Sequence, residues 1–104
     1  MSDTLERLYR TIESRRGADP ATSYTAKLLS EGTPAITAKV SEEAGETVRA
    51  ALGEGKARLI AESADLLYHL LVLWAAERVS PAEVWAELGG REGTSGIDEK
   101  RNRK

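Results

Sequence analysis

The chain has 104 residues, of which 40% are hydrophobic and 31% charged, with a formal net charge of −2. Those values describe one small soluble domain with a thin core, argue against wholesale disorder, and give the whole chain no electrostatic pull on nucleic acid. Cysteine is absent, which excludes disulfides and thiolate metal sites and is compatible with the cytoplasm.

Phe is also absent while Leu, Ala and Val dominate, a balance that favours helix over sheet. The N-terminus is polar, without the apolar stretch of a signal peptide. The longest near-apolar run, Leu66 to Ala76, is 11 residues and contains His69. A bilayer takes roughly 20, so no membrane span is expected.

Residues 3 to 15 predict a first helix, with Asp3 as N-cap and Glu6 in capping-box spacing. Leu5, Leu8, Tyr9 and Ile12 give it one apolar face, and Arg15-Arg16-Gly17 closes it. Ser23 to Glu31 predicts a short helix that brings Ser23, Tyr24 and Lys27 together, ended by Gly32. Read blandly, these three are a cap, a core tyrosine and a solvated lysine. Thr33-Pro34 predicts the next start, a hydroxyl cap followed by proline, for a helix running to about Leu52. Its packing arc holds Ile36, Val40, Ala44, Thr47 and Ala51, with Glu43 and Glu46 bordering it and Glu42 turned further away.

Lys56 to about Arg78 predicts the longest helix. Leu59, Ser63, Leu66, Leu67, Leu70, Leu73 and Trp74 form its expected packing face, widened by Leu71 and Val72. Glu62, Asp65, His69 and Ala76 occupy the remaining stripe. The short Gly53–Gly55 connection makes this helix antiparallel to the one before it. Ser80-Pro81-Ala82-Glu83 is a second capping box, opening a short helix with Val84, Trp85 and Leu88 that ends at Gly89-Gly90. From Arg91 the chain is polar and reads as a tail.

The acids carry the chemistry. Alone, Glu42, Glu43 and Glu46 read as a solvated face. Glu62 and Asp65, however, sit in a helix that is otherwise mostly Leu, Val, Ala and Trp. Like charges one turn apart repel, and more so in a low-dielectric setting, unless a cation lies between them. An antiparallel hairpin can bring the two pairs face to face. That all-oxygen site suits Mg²⁺ or Mn²⁺ and not Zn²⁺. Lys39, Lys27, Arg15 and Arg16 are then candidates for holding phosphates, and His69 for a proton carrier, a phosphate donor or a structural histidine. No Gly-x-x-x-x-Gly-Lys phosphate loop is present.

With these residues in view, the chain resembles the phosphoribosyl-ATP pyrophosphatase family over nearly its whole length. The resemblance rests on Ser23-Tyr24-Thr25-Ala26-Lys27-Leu28-Leu29, on Lys39-Val40-Ser41-Glu42-Glu43-Ala44-Gly45-Glu46, on Glu62 through Leu73, and on Ser95-Gly96 with Glu99-Lys100. The paired acids alone would place it only among the wider all-α nucleoside triphosphate pyrophosphatases.

The resemblance implies an all-α helical bundle completed by homodimerisation, with residues 1–90 as the catalytic domain and 91–104 as a polar tail. It implies Mg²⁺-dependent hydrolysis of 1-(5-phosphoribosyl)-ATP between the α and β phosphates, the second step of histidine biosynthesis, in a stand-alone cytoplasmic enzyme. Carried over by position, Glu43, Glu46, Glu62 and Asp65 are metal ligands, and Glu42 is a further ligand or positions water. Charge and placement suggest Arg15, Arg16, Ser23, Tyr24, Lys27, Lys39, His69, Ser95 and Lys100 for the substrate. Two other readings stand beside this one: a general house-cleaning nucleotide pyrophosphatase, and a non-catalytic helical dimerisation module.

Overall fold

A hairpin of the two longest helices sets the position of everything else. A computed structural model describes residues 3–92. Ser95, Gly96 and Lys100 lie outside the described residues, as does the rest of 93–104. The helices are α1 (Asp3–Ser14), α2 (Tyr24–Glu31), α3 (Thr33–Arg49), α4 (Lys56–Ala76) and α5 (Pro81–Gly89). Among the described residues there is no strand, so the fold class is all-α.

The helix boundaries follow local chemistry, with three corrections. Ser23 caps α2 as expected, its hydroxyl accepting from the Ala26 amide at 3.1 Å. The Ser80–Glu83 box is complete in both directions, at 2.8 and 3.2 Å. Asp3, expected as a cap, is instead the first residue of α1. Thr33 is likewise helical rather than capping. Gly32, at φ 91°, makes the corner between α2 and α3, and the Thr33 hydroxyl donates to the Glu77 carboxylate just past α4. Nor does Gly53 stop the third helix: a π-helical segment, Ala50–Glu54, carries it on to Gly55 at φ 95°. The left-handed backbone that suits glycine is needed at Gly55, not at Gly53.

The hairpin is antiparallel, as the short connection predicts. The start of α3 meets the end of α4 through Thr33 and Glu77. Further along, the Thr47 hydroxyl lies 3.3 Å from the Glu62 carbonyl. Ile12, Leu28, Ile36, Leu71, Val72 and Ala75 form the core, drawn from α1 to α4. Tyr9 of α1 donates to the Val79 carbonyl at 2.8 Å, and Arg16 donates to the Ala75 carbonyl at 2.8 Å. An edge-on contact of Trp74 with Trp85, centroids 5.9 Å apart, attaches α5.

The packing face expected for α4 is covered over part of its length: Leu71 and Val72 are buried and Leu73 and Trp74 pack against the core, while Leu67 is 44% exposed and Ile60, outside that face, 61%. The buried residues are Glu62, His69, Leu71, Val72 and Ala75. Within one chain α4 packs against α1, α2, α3 and the π-helical segment, and meets α5 through Trp74 and Trp85. By length and composition α4 would also pass for a membrane span; here it lies against other helices and carries Glu62, Asp65 and His69 along its length.

Leu71 is 1% exposed at the centre of this packing. Leu71→Ala should therefore destabilise the fold by about 3 kcal/mol, read by denaturant unfolding, as for other buried leucines. A loss under about 1 kcal/mol would mean that the core is centred elsewhere.

Candidate metal centre

Three carboxylates converge across the hairpin. Glu43 comes from α3, and Glu62 and Asp65 come from α4 one turn apart. One carboxylate oxygen from each lies within 4.8 Å of the other two. Glu43 is 7% and Glu62 5% exposed, whereas Asp65 is open to solvent. The Thr47 hydroxyl bridges the two helices of the site, 2.8 Å from the Glu43 carbonyl and 3.3 Å from the Glu62 carbonyl, which fixes the register of one acid pair against the other.

Two of these oxygens have no protein partner. Glu43 Oε1 and Glu62 Oε1 are buried and make no hydrogen bond. A buried carboxylate oxygen left bare is among the costlier arrangements in a protein, and two facing each other add repulsion. A hard cation between them would answer both penalties, since an all-oxygen donor set is what Mg²⁺ and Mn²⁺ take. The residues present thus fit such an ion.

The other candidate residues stand in different relations to this triad. Glu46 lines a polar cavity of ≈ 260 Å³ with Arg49, Glu54, Arg58 and Glu62, adjoining the triad through Glu62. Glu42 turns outward and pairs with Lys39 at 2.8 Å, so it is not brought into the cluster. Tyr24 and His69 form a rim: the Tyr24 hydroxyl is 3.0 Å from His69 Nε2, and His69 Nδ1 is 2.8 Å from the Asp65 carbonyl. A carbonyl only accepts, so Nδ1 carries the proton in the neutral ring and Tyr24 donates to Nε2. Tyr68 packs edge-on against His69 at 4.9 Å and shares a hydrogen bond with Thr25. Ser23 is occupied as the α2 cap. Arg16 joins α1 to α4 through the Ala75 carbonyl and also pairs with Glu13 at 2.7 Å. Arg15 and Lys27 are exposed.

Sequence reasoning missed Thr47, Arg49 and Arg58. All three had a usable signal, because Thr47 follows Glu43 by four residues, Arg49 follows Glu46 by three and Arg58 precedes Glu62 by four, which is helical adjacency.

Comparison with known proteins bears on this constellation. A family model described as phosphoribosyl-ATP pyrophosphohydrolase matches residues 5–92. The chain belongs to that family. It is 63% identical over 102 residues to the phosphoribosyl-ATP pyrophosphatase of Paramagnetospirillum magneticum, covering 98% of this chain and 94% of that protein. It is 60% identical over 100 residues to the phosphoribosyl-ATP pyrophosphatase of Azospirillum brasilense, covering 96% and 90%. The corresponding Caulobacter vibrioides protein is 57% identical over 104 residues, covering 99% and 95%. The family match includes the whole acid triad and the Tyr24–His69 rim.

Electrostatics within the site are set by burial. Burial raises the Glu43 carboxyl above the ordinary value of 4.5, and Glu46 and Asp65 add to the rise while His69 and Lys39 oppose it. Glu62 is raised from the same value by burial first, then by the Glu46 carboxyl beside it, with Arg58 opposing. Burial also raises the Tyr24 hydroxyl, against the pull of Lys39. Outside, the Lys39 hydrogen bond lowers Glu42 and correspondingly raises Lys39.

Raised carboxyl groups bind protons more tightly in the folded chain than in the unfolded one. Their contribution to stability is full below the ordinary value of 4.5 and is lost as pH rises through the raised values. In the presence of a chelator, Tm should therefore fall as pH rises above the ordinary value of 4.5, and added Mg²⁺ should restore it. Glu43→Gln should flatten that slope and lift the metal-free Tm at neutral pH by roughly 3 °C. An unchanged slope in the variant would show that Glu43 is not a source of the pH dependence.

Proposed function

We propose that this chain hydrolyses 1-(5-phosphoribosyl)-ATP to 1-(5-phosphoribosyl)-AMP and pyrophosphate, the second step of histidine biosynthesis, with Mg²⁺ held by Glu43, Glu62 and Asp65. The observation that carries the reading is the pair of buried, unpartnered oxygens on Glu43 and Glu62 beside Asp65, in a chain of this family. Glu46 adjoins the triad as a fourth ligand, and Mn²⁺ suits the same oxygens. When bound, the cation polarises the phosphoryl group and offsets charge on the departing pyrophosphate.

The chain's own residues supply the rest. The rigid α3–α4 hairpin holds the acids in place before substrate arrives, so little reorganisation accompanies binding. Lys39, Lys27 and Arg15 lie on exposed or half-exposed surface and offer cations to phosphates. Arg16, already bonded to the Ala75 carbonyl and Glu13, is left out of that set. The Tyr24 hydroxyl donates to His69 and keeps lone pairs free, so it meets substrate as an acceptor, suited to a sugar hydroxyl rather than a phosphate oxygen. Glu42 keeps Lys39 in place through their ion pair. The catalytic unit spans residues 1–90, acts in the cytoplasm, and needs neither nucleic acid nor membrane.

We also infer a homodimer, with α4 central to the contact. Val48, Leu52, Ile60 and Leu67 expose apolar surface on the hairpin. A chain this small gains from sharing such a face with a second copy.

Pyrophosphate release from phosphoribosyl-ATP, set against ordinary nucleoside triphosphates with and without Mg²⁺, tests the activity. Turnover should require Mg²⁺, be confined to phosphoribosyl-ATP, and fall about 100-fold or more in Asp65→Asn. Turnover spread over many triphosphates would move the chain to the general nucleotide pyrophosphatases.

Light scattering tests the assembly. The wild-type chain of 11.3 kDa should run at twice that mass, and Leu67→Glu at the single mass. A wild-type monomer would dismiss the shared face.

A further inference from the structure

Glu62 divides its two oxygens between different surroundings. Oε2 accepts from the Arg58 guanidinium. Oε1 is buried and has no partner. The Glu62 side chain is 6% exposed and that of Arg58 57%, so the arginine reaches in from the solvent side and takes the outer oxygen.

Arg58 is itself held from behind. Its Nε lies 3.9 Å from Glu54 Oε1. Glu54 belongs to the π-helical segment and Glu62 to α4, so the three side chains bracket the bend at Gly55. Glu54, Arg58 and Glu62 are four residues apart in succession, and Arg58 faces one acid on each side.

The last torsion of a glutamate is soft and roughly two-fold, so a free carboxylate presents either oxygen. Pinning Oε2 leaves a single orientation. We propose that Arg58 is a positioning residue, which fixes the Glu62 carboxylate so that Oε1 is presented to the cation shared with Glu43 and Asp65. The proposal rests on the cation reading of the triad given above. It assigns Arg58 more than an ordinary exposed helix pair, which contributes little to stability and orients no ligand. It also runs against simple electrostatics, in which removing a nearby positive charge tightens cation binding.

The opposite signs make the test decisive. Mn²⁺ is titrated into substrate-free protein and followed by electron paramagnetic resonance, with circular dichroism to confirm that each variant is folded. Arg58→Gln should weaken Mn²⁺ binding about tenfold or more, as loss of a partner behind a metal ligand does. Arg58→Lys should recover part of the loss, because an ammonium keeps the charge and reaches one oxygen but lacks the planar fork. Unchanged or tighter Mn²⁺ binding in folded Arg58→Gln would overturn the positioning role while leaving the metal site standing. A wild-type protein that binds no Mn²⁺ would overturn the cation reading itself, and the positioning role with it.

Discussion

Two buried carboxylates, Glu43 and Glu62, face each other across the α3–α4 hairpin with an oxygen apiece left without a partner. The rest of the structure serves to keep them there. Thr47 ties the two backbones beside them, Thr33 ties the far end of the hairpin to Glu77, and Gly55 supplies the bend that lets α4 return along α3. Without those ties, repulsion and the pull of water would draw the acids apart. With them, the site is formed before anything binds.

Charge is graded outward from that centre. The innermost acids lack a cationic partner on their inner oxygens, while the outer acids have one: Glu42 has Lys39 and Glu54 has Arg58. Glu62 stands on the boundary, one oxygen in each zone. Its raised carboxyl expresses that position, since burial and Glu46 push it up while Arg58 pulls it down.

Much of this was legible in the sequence, and the gaps have physical causes. The helices, their antiparallel hairpin, and the meeting of Glu43 with Glu62 and Asp65 follow from glycine, proline and capping residues and from i, i+3 spacing. The end of α3 did not, because a π-helical turn is a local choice among nearly equal backbone states and leaves no periodic mark. Thr33 looked like a cap because its type and place before proline fit one; a long-range bond to Glu77 gave its hydroxyl another use. Arg58 was passed over because an arginine on an exposed turn is common, and its consequence depends on Glu62 being buried. The exposure of Leu67, on the face of α4 expected to pack, was not legible for a related reason. Apolar periodicity says which residues avoid water and is silent on whether a neighbour in the same chain or another molecule covers them.

The exposure of Leu67 and the burial of Glu62 point to how α4 is built. An ordinary amphipathic helix turns leucines inward and acids outward. Here Glu62 and His69 are buried while Ile60 and Leu67 are open, so the helix violates the usual pattern on both sides at once. Sequences tolerate such conflict where function requires it and something else compensates. On the proposed reading a cation, which the bare oxygens of Glu43 and Glu62 fit, would relieve the inner violation, and a second copy covering Ile60 and Leu67 would relieve the outer one. Each relief acts on the same rigid helix, so a partner that holds the outside of α4 still also holds Glu62 and Asp65 still. On this reading dimerisation and cation binding are thermodynamically linked through α4, and each should stabilise the other.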